Sequence, residues 1–372
     1  MLAKMRYPAL DSLRGLAALA VVFHHIALNW PAGSNTVLPR PVAYALQGVG
    51  HPSVVLFFVL SGFVLFLGYG ARRDLNWKAF FVSRLFRLYP AYLFAVLISF
   101  LCIVFQGDFT KFTFDFASLS RVVTLLFVNK SDVSWNPVIW SLVYEARFSL
   151  IFPLICYWIA RSRSPILPTL LILLCSALCD FALKAFGLVP DYLLTDNILY
   201  NFLITVLYMG VFAPGMYSAG LITKNSSNFT MNVYWQVAIF AFALALLIAR
   251  PFFKSDIVMA VPLALILLII VKNSYFSNIL EHASFRWLGK ISYSLYLIHF
   301  PVIICVPVVL KSLFNVNNGF ISMPVTFCIS ILLAEISQRF VEAPCIEIGR
   351  YLSGIVSGRS RVGQQASKAE PL

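Results

Sequence analysis

The sequence predicts an all-α polytopic membrane protein of about ten transmembrane helices with both termini cytoplasmic. Three observations predict it. The 372-residue chain is 60% hydrophobic and 12% charged, with a mean hydropathy of +0.85; an average soluble domain is nearer 45–50% apolar and about 25% charged. Apolar runs long enough to cross a bilayer, about 20 residues each, recur ten times. Lys and Arg are shared unequally between alternate loops. Together these exclude a soluble globular enzyme, a disordered chain and a secreted disulfide scaffold.

The runs fall at 9–29, 52–70, 88–106, 138–159, 165–186, 198–221, 234–250, 256–272, 292–313 and 320–340. They are continuous rather than alternating, so helices satisfy their backbone where barrel strands would not. The first run follows Lys4 and Arg6 as a signal peptide would. It carries Asp11, Arg14, His24 and His25 and lacks an A-x-A site, so it reads as a retained first helix. The connections 30–51 and 107–137 are long for a compact membrane protein, and the second ends in Ser134-Trp135-Asn136-Pro137. A single transmembrane domain is expected over 1–345. The remainder, 346–372, is expected to be a cytoplasmic tail, polar from Ser353 onward and disordered.

Orientation follows from the cations. With the N-terminus inside, 19 of the 28 Lys and Arg fall on the cytoplasmic side, eight on the outer side, and Arg147 lies within a span. That is the bias expected of cytoplasmic loops. It accounts for the net charge of +13 without nucleic acid, and it places the chain as a multi-pass protein of the plasma membrane, the inner one in a Gram-negative cell. The seven cysteines show neither C-x-x-C nor zinc spacing, so no metal is expected.

Ionisable groups inside a span are costly and suggest function. Arg14 and His25 are eleven residues apart, which is three helical turns plus about 20°, so they share a face about 16 Å apart along the axis. His24 points about 100° away. Arg84 and Arg87, within the basic amphipathic stretch Trp77–Pro90, share a face as i, i+3. Two guanidinium forks suit a phosphate, while attraction to lipid headgroups is the simpler use. Glu145 falls about two turns inside the outer surface, where a carboxylate must be paired, protonated or facing a cavity. His299 is expected about two turns into the ninth span, in the cytoplasmic half, and Glu342 follows the tenth. Singly, both suit core packing.

Read together, these residues resemble the integral-membrane acyltransferase-3 family. Tyr7-Pro8-Ala9-Leu10-Asp11-Ser12-Leu13-Arg14-Gly15 with His24-His25 is similar to the family's opening, whose signature is a basic residue, ten residues, then His. Phe57-Phe58-Val59-Leu60-Ser61-Gly62-Phe63 is similar to its second block and Arg84-Leu85-Phe86-Arg87 to its R-x-x-R block. Trp140-Ser141-Leu142-Val143-Tyr144-Glu145, Ile291–His299 and Val341-Glu342-Ala343-Pro344 continue the likeness in order, so it covers about residues 6–345. Ala343 stands where the family often has a basic residue.

The resemblance implies an O-acyltransferase that moves an acyl group, commonly acetyl, from cytoplasmic acyl-CoA to a hydroxyl of a cell-envelope or exported glycan. The partners implied are acyl-CoA, a carbohydrate or glycolipid acceptor and membrane lipids. His25 is implied as the essential histidine, either general base or transient acyl carrier, with Arg14 as its motif partner. Arg84 and Arg87 are implied as donor contacts. Glu145 would orient the imidazole, and Asp11, His24, Ser61, Tyr144, His299 and Glu342 would support the site. Two other uses of intramembrane His and Glu stand beside this: a transporter or proton-coupled translocator, and haem held by His24, His25 or His299. The different depths expected for His25 and His299 disfavour a shared iron.

Overall fold

A computed structural model describes residues 7–31, 34–70, 76–106, 116–125, 128–129, 132, 136–162, 166–188, 197–224, 232–248 and 255–358. They form thirteen helices and no strand: α1 (Pro8–Leu28), α2 (Arg40–Leu65), α3 (Trp77–Gln106), α4 (Phe116–Thr124), α5 (Ile139–Arg161), α6 (Ile166–Ala185), α7 (Ile198–Lys224), α8 (Val233–Ile248), α9 (Asp256–Lys272), α10 (Ser274–Leu280), α11 (Ala283–Phe314), α12 (Gly319–Ser337) and α13 (Ala343–Val356). Wide π-type turns extend α2 over Phe66–Gly70 and join α12 to α13 over Gln338–Glu342. Each of the ten expected spans has its helix. Among the described residues eight helices are long and apolar enough to cross a membrane; α8 and α9, with 16 and 17 residues, are shorter. α13 runs past the expected domain limit at 345, and residues 359–372 of the expected tail lie outside the described residues.

Several helices begin earlier than their apolar runs. α2 starts at Arg40 rather than 52, α3 at Trp77 rather than 88, and α11 at Ala283 rather than 292. The amphipathic stretch with Arg84 and Arg87 is therefore nearly the first half of α3. In these first turns polar side chains mask a helical backbone, so hydropathy alone sets the start too late.

The centre of the bundle is α1 against α2 and α11, with α7 on the other side of α2. Small residues let the backbones touch, the usual device where lipid removes any hydrophobic drive between helices. A Cβ on Gly15 would come 2.6 Å from Gly289 N, and one on Gly289 would come 2.4 Å from Asp11 O. α2 meets α7 in the same way, with Gly62 against Phe212 O and Gly215 against Val59 O.

The end of the bundle where α1 begins is called proximal here, and the end where α1 finishes distal. The described part of the 107–137 connection includes α4, Asn129 and Asp132. There α4 is held to α3 by Tyr89 and Tyr92, whose hydroxyls donate to Thr124 O and Val122 O at 2.7 Å. Asp132 takes both Arg121 nitrogens, at 2.7 and 2.8 Å, together with Ser118 and the Asn129 N–H. Burial alone would raise its carboxyl, but these donors hold it below the ordinary aspartate range.

The glycine contacts give a first prediction. Gly289→Val has backbone in its way, so α1 and α11 must separate, and the yield of monodisperse protein in detergent should collapse. Gly48→Ala, at a helical glycine with open space around it, should raise thermal stability slightly, by about 0.5–1 kcal/mol. Equal behaviour of the two variants in size-exclusion and melting experiments would refute the close-contact argument.

Candidate active site

Two polar layers cross the α1–α11 seam. The distal one holds histidines. His299 Nδ1 lies 3.1 Å from Leu295 O, and its Nε2 lies 3.0 Å from His25 Nδ1. A carbonyl only accepts, so in the neutral ring His299 Nδ1 carries the proton and Nε2 accepts. His25 Nδ1–H is then the donor, shared with Val21 O at 3.1 Å. His25 Nε2 is left with its lone pair and has no hydrogen-bond partner among the described residues. The ring is held on three sides by His24, His299 and Phe300, with centroids at 5.0, 5.1 and 5.4 Å. The residue is half-buried.

This arrangement corrects the sequence expectation for His299. It does not sit in the proximal half. Because α11 starts at Ala283, His299 is four turns into the helix, level with His25. The different depths no longer separate the two rings. What disfavours a shared iron is instead the hydrogen bond between them, which uses one nitrogen from each. Among the described residues no group of three His, Cys, Asp or Glu could hold a metal.

Pro301 contributes to the same layer. It lacks an N–H, so the carbonyl four residues back, Leu297 O, is freed. Asn136 Nδ2, fully buried, donates to it at 3.0 Å, tying the loop before α5 to the α11 kink. Ser141 and Tyr296 hydroxyls pair at 2.8 Å beside it, and Tyr296 donates to Val138 O.

The proximal layer is ionic. Arg84 Nη2 donates to Glu145 Oε1 at 2.8 Å and its Nε to Ser149 Oγ at 3.2 Å. Ser61 adds a second donor to the same carboxylate oxygen at 3.0 Å. Arg14 binds Asp11 at 3.2 Å and lies within electrostatic reach of Glu145, Arg84 and Arg87. Glu342, buried, accepts from Ser294 at 2.8 Å and faces Arg87 and Arg14 at longer range. The π-type turn before α13 delivers it there. Tyr293 stands in the middle, donating to Leu88 O at 2.8 Å.

Nearly all the residues named from sequence therefore gather along one seam, but Glu145, Arg84, Tyr144 and His24 are placed differently from what was expected. Glu145 does not reach His25; its hydrogen bonds go to Arg84 and Ser61. Arg84 is 8% exposed and committed to Glu145 and Ser149. Arg87, on the same helix face, has no hydrogen bond or ion pair among the described residues and is the cation left over. Tyr144 is fully buried with its hydroxyl unpartnered, stacked at 4.5 Å on Tyr208. His24 turns away from the dyad, with Nδ1 bonding Gln47 O at 2.8 Å.

The sequence reading missed Asn136, Ser149, Ser294 and a further pair, His51 with Asp256. Only the last left a signal, since both are ionisable groups at the margins of apolar runs. The late start drawn for α2 put His51 in a loop, and the start at 256 put Asp256 at a surface.

These features agree with what the chain is similar to. The acyltransferase-3 family model, an acyltransferase domain, matches residues 7–335; the chain belongs to that family. Among curated proteins it is 28% identical over 367 residues to YrhL of Bacillus subtilis (strain 168), covering 91% of this chain and 54% of that one. It is 26% identical over 366 residues to the peptidoglycan O-acetyltransferase OatA of Listeria monocytogenes, covering 91% and 55%. It is 26% identical over 375 residues to the O-acetyltransferase OatA of Staphylococcus aureus (strain NCTC 8325), covering 91% and 57%. The chain thus spans about half the length of the curated relatives it matches. No solved structure matches it.

The Arg84–Glu145 pair gives the second prediction. Removing one partner of a buried pair strands the other charge, at a cost of roughly 3 kcal/mol, the low end of the usual range because the Glu145 side chain is 24% exposed. Arg84→Met should lower the melting temperature in detergent, and Arg84→Met with Glu145→Met should recover most of the loss. A double variant no better than Arg84→Met would show that the pair is not the issue.

Proposed function

We propose that this chain is a membrane-embedded O-acyltransferase that moves an acyl group, acetyl by analogy with its relatives, from acyl-CoA to a hydroxyl of a cell-envelope glycan. The observation that carries the reading is the His25–His299 dyad, whose hydrogen bonding leaves His25 Nε2 as a held, unpartnered base. The charge asymmetry of the loops supports a cytoplasmic proximal end and an outward distal end. The family and the O-acetyltransferase names of the relatives support the reaction class, and the OatA of Listeria supports a peptidoglycan-like acceptor.

The donor's phosphates bind at the proximal layer, where Arg87 is unpaired and Arg14 adjoins it. Arg84 and Glu145 neutralise each other and hold α3 to α5, so that Arg87 presents its fork. The thioester end reaches along the α1–α11 seam to His25. His25 Nε2 takes the proton of the acceptor hydroxyl while the hydroxyl oxygen bonds to the thioester carbonyl carbon. The C–S bond breaks, and the thiolate takes the proton back from the imidazolium. His299 accepts from Nδ1–H throughout, keeping the basic nitrogen on the reacting edge and favouring the charged ring as it forms.

Membranes supplied with radiolabelled acetyl-CoA test this. Label should enter envelope glycan with wild-type protein and fall by roughly 10²–10⁴-fold with His25→Ala, the range for loss of a general base, at equal protein level. His299→Ala should lower transfer at saturating donor, with His299→Gln, which keeps an acceptor, intermediate. Arg87→Ala should raise the half-saturating acetyl-CoA with little change at saturation. Unchanged labelling in all of them would end the mechanism and move the transporter reading ahead.

A further inference from the structure

Beside the dyad, three helices bring a second polar cluster together. His51 on α2 and Asp256 at the start of α9 meet at 2.6 Å between Nε2 and Oδ1. Tyr208 on α7 donates to the other carboxylate oxygen at 3.3 Å. Partners 205 residues apart do not meet by chance of local sequence. A buried pair of this kind is no better for stability than well-packed apolar residues of the same volume, so packing alone does not account for it. Nor does the cluster serve the steps described above.

Its placement is specific. His24 packs so closely on α2 that a Cβ on Gly50 would come 2.2 Å from its ring. That ring therefore lies on the helical turn that carries His51, and His24 and His51 are within electrostatic reach. On its other side His24 meets His25 edge-on at 5.0 Å. His24 thus stands between the reactive histidine and the His51–Asp256 pair, in ring contact with the first and within electrostatic reach of the second. The pair is not sealed: its side chains are 15% and 9% exposed. Two of the roughly four acceptor positions of the Asp256 carboxylate are filled by His51 and Tyr208, leaving room for further donors. Trp140, half-buried, stands 5.6 Å from Tyr208, ring to ring. A carboxylate, an imidazole and a phenol beside an indole are the groups that take the hydroxyls and the C–H face of a sugar.

We infer that His51 and Asp256 form the acceptor subsite, binding hydroxyls of the incoming sugar and presenting one of them to His25. This rests on the acyltransferase reading, and it adds to that reading the residues that hold the acceptor. His51 and Asp256 are positioning residues. The carboxylate accepts from sugar hydroxyls, and the imidazole fixes the carboxylate.

The test uses membranes containing the full chain, with labelled acetyl-CoA and isolated cell-wall glycan titrated in turn. For Asp256→Asn and His51→Gln, the half-saturating glycan concentration should rise about ten-fold or more, the size expected for a lost hydrogen bond to a charged group. The half-saturating acetyl-CoA and the protein level should stay within about two-fold. The pair Asp256→Leu with His51→Phe separates binding from packing. A purely structural clamp is restored by apolar residues, and transfer recovers; an acceptor subsite stays defective for glycan while the protein remains folded. Recovery of glycan affinity in that double variant, or an equal shift for donor and acceptor, overturns the assignment. Absence of labelling in wild type is a different result: it sinks the transferase itself, and the subsite with it.

Discussion

The contact between Gly15 and Gly289 governs the rest of the site. It brings the backbones of α1 and α11 together where no side chain separates them. The two helices run parallel from that point. His25 is ten residues beyond Gly15 and His299 ten residues beyond Gly289, so each has risen about 15 Å and turned through the same angle. Two histidines from distant parts of the chain are thereby set level and within 3.0 Å. A larger residue at either glycine would push the helices apart and break the hydrogen bond that fixes the tautomer of His25. Position, proton and free lone pair all follow from one close approach.

The charges follow a different rule. In an apolar bundle a carboxylate or guanidinium must be neutralised by its neighbours or lie open to water. Arg84 and Glu145 satisfy each other, with Ser61 and Ser149 filling the remaining positions. Glu342 is buried but accepts from Ser294. What remains at the proximal end is Arg87, a cation with no ion pair among the described residues, beside Arg14, which is bound to Asp11. The serines are the economical part of this design. They are small enough not to force the helices apart, yet Ser61 and Ser294 each give a carboxylate a donor, and Ser149 accepts from Arg84.

The helices were legible because an unbroken apolar run of about 20 residues matches the thickness of a bilayer and little else; each of the ten runs has its helix, and eight helices among the described residues are long and apolar enough to cross. Arg14 and His25 were legible because ionisable groups are conspicuous within such a run. The partnership of His25 with His299 was not. Hydropathy placed the start of the ninth span at 292, nine residues after the helix begins, and the error moved His299 by more than two turns. The same effect hid His51. Glu145 shows a different limit. Its depth was readable, but whether it faced α1 or α3 depended on which helices are neighbours, and that is set by glycines and prolines whose effects are not local. Asn136 is the clearest instance. Its role exists only because Pro301, 165 positions later, leaves the carbonyl of Leu297 without its helical donor.

The division of labour between the layers has a chemical reason. A carboxylate base in this environment would need a cation beside it, as Glu145 has, and a paired carboxylate is a poor proton acceptor. An imidazole can sit neutral among apolar groups at little cost and still take a proton when a hydroxyl is presented to it. His299, neutral with Nδ1 bound to a backbone carbonyl, orients His25 without adding a charge. In the proposed reaction the seam keeps its fixed charges at the end assigned to an anionic donor and leaves the histidine level uncharged until the transition state. On that reading, the positive charge that develops on His25 meets the lone pair of His299. In the proposed reaction the ring gains its proton from the acceptor hydroxyl only as that oxygen bonds to the thioester carbon, which suits a base that is otherwise neutral within the bilayer.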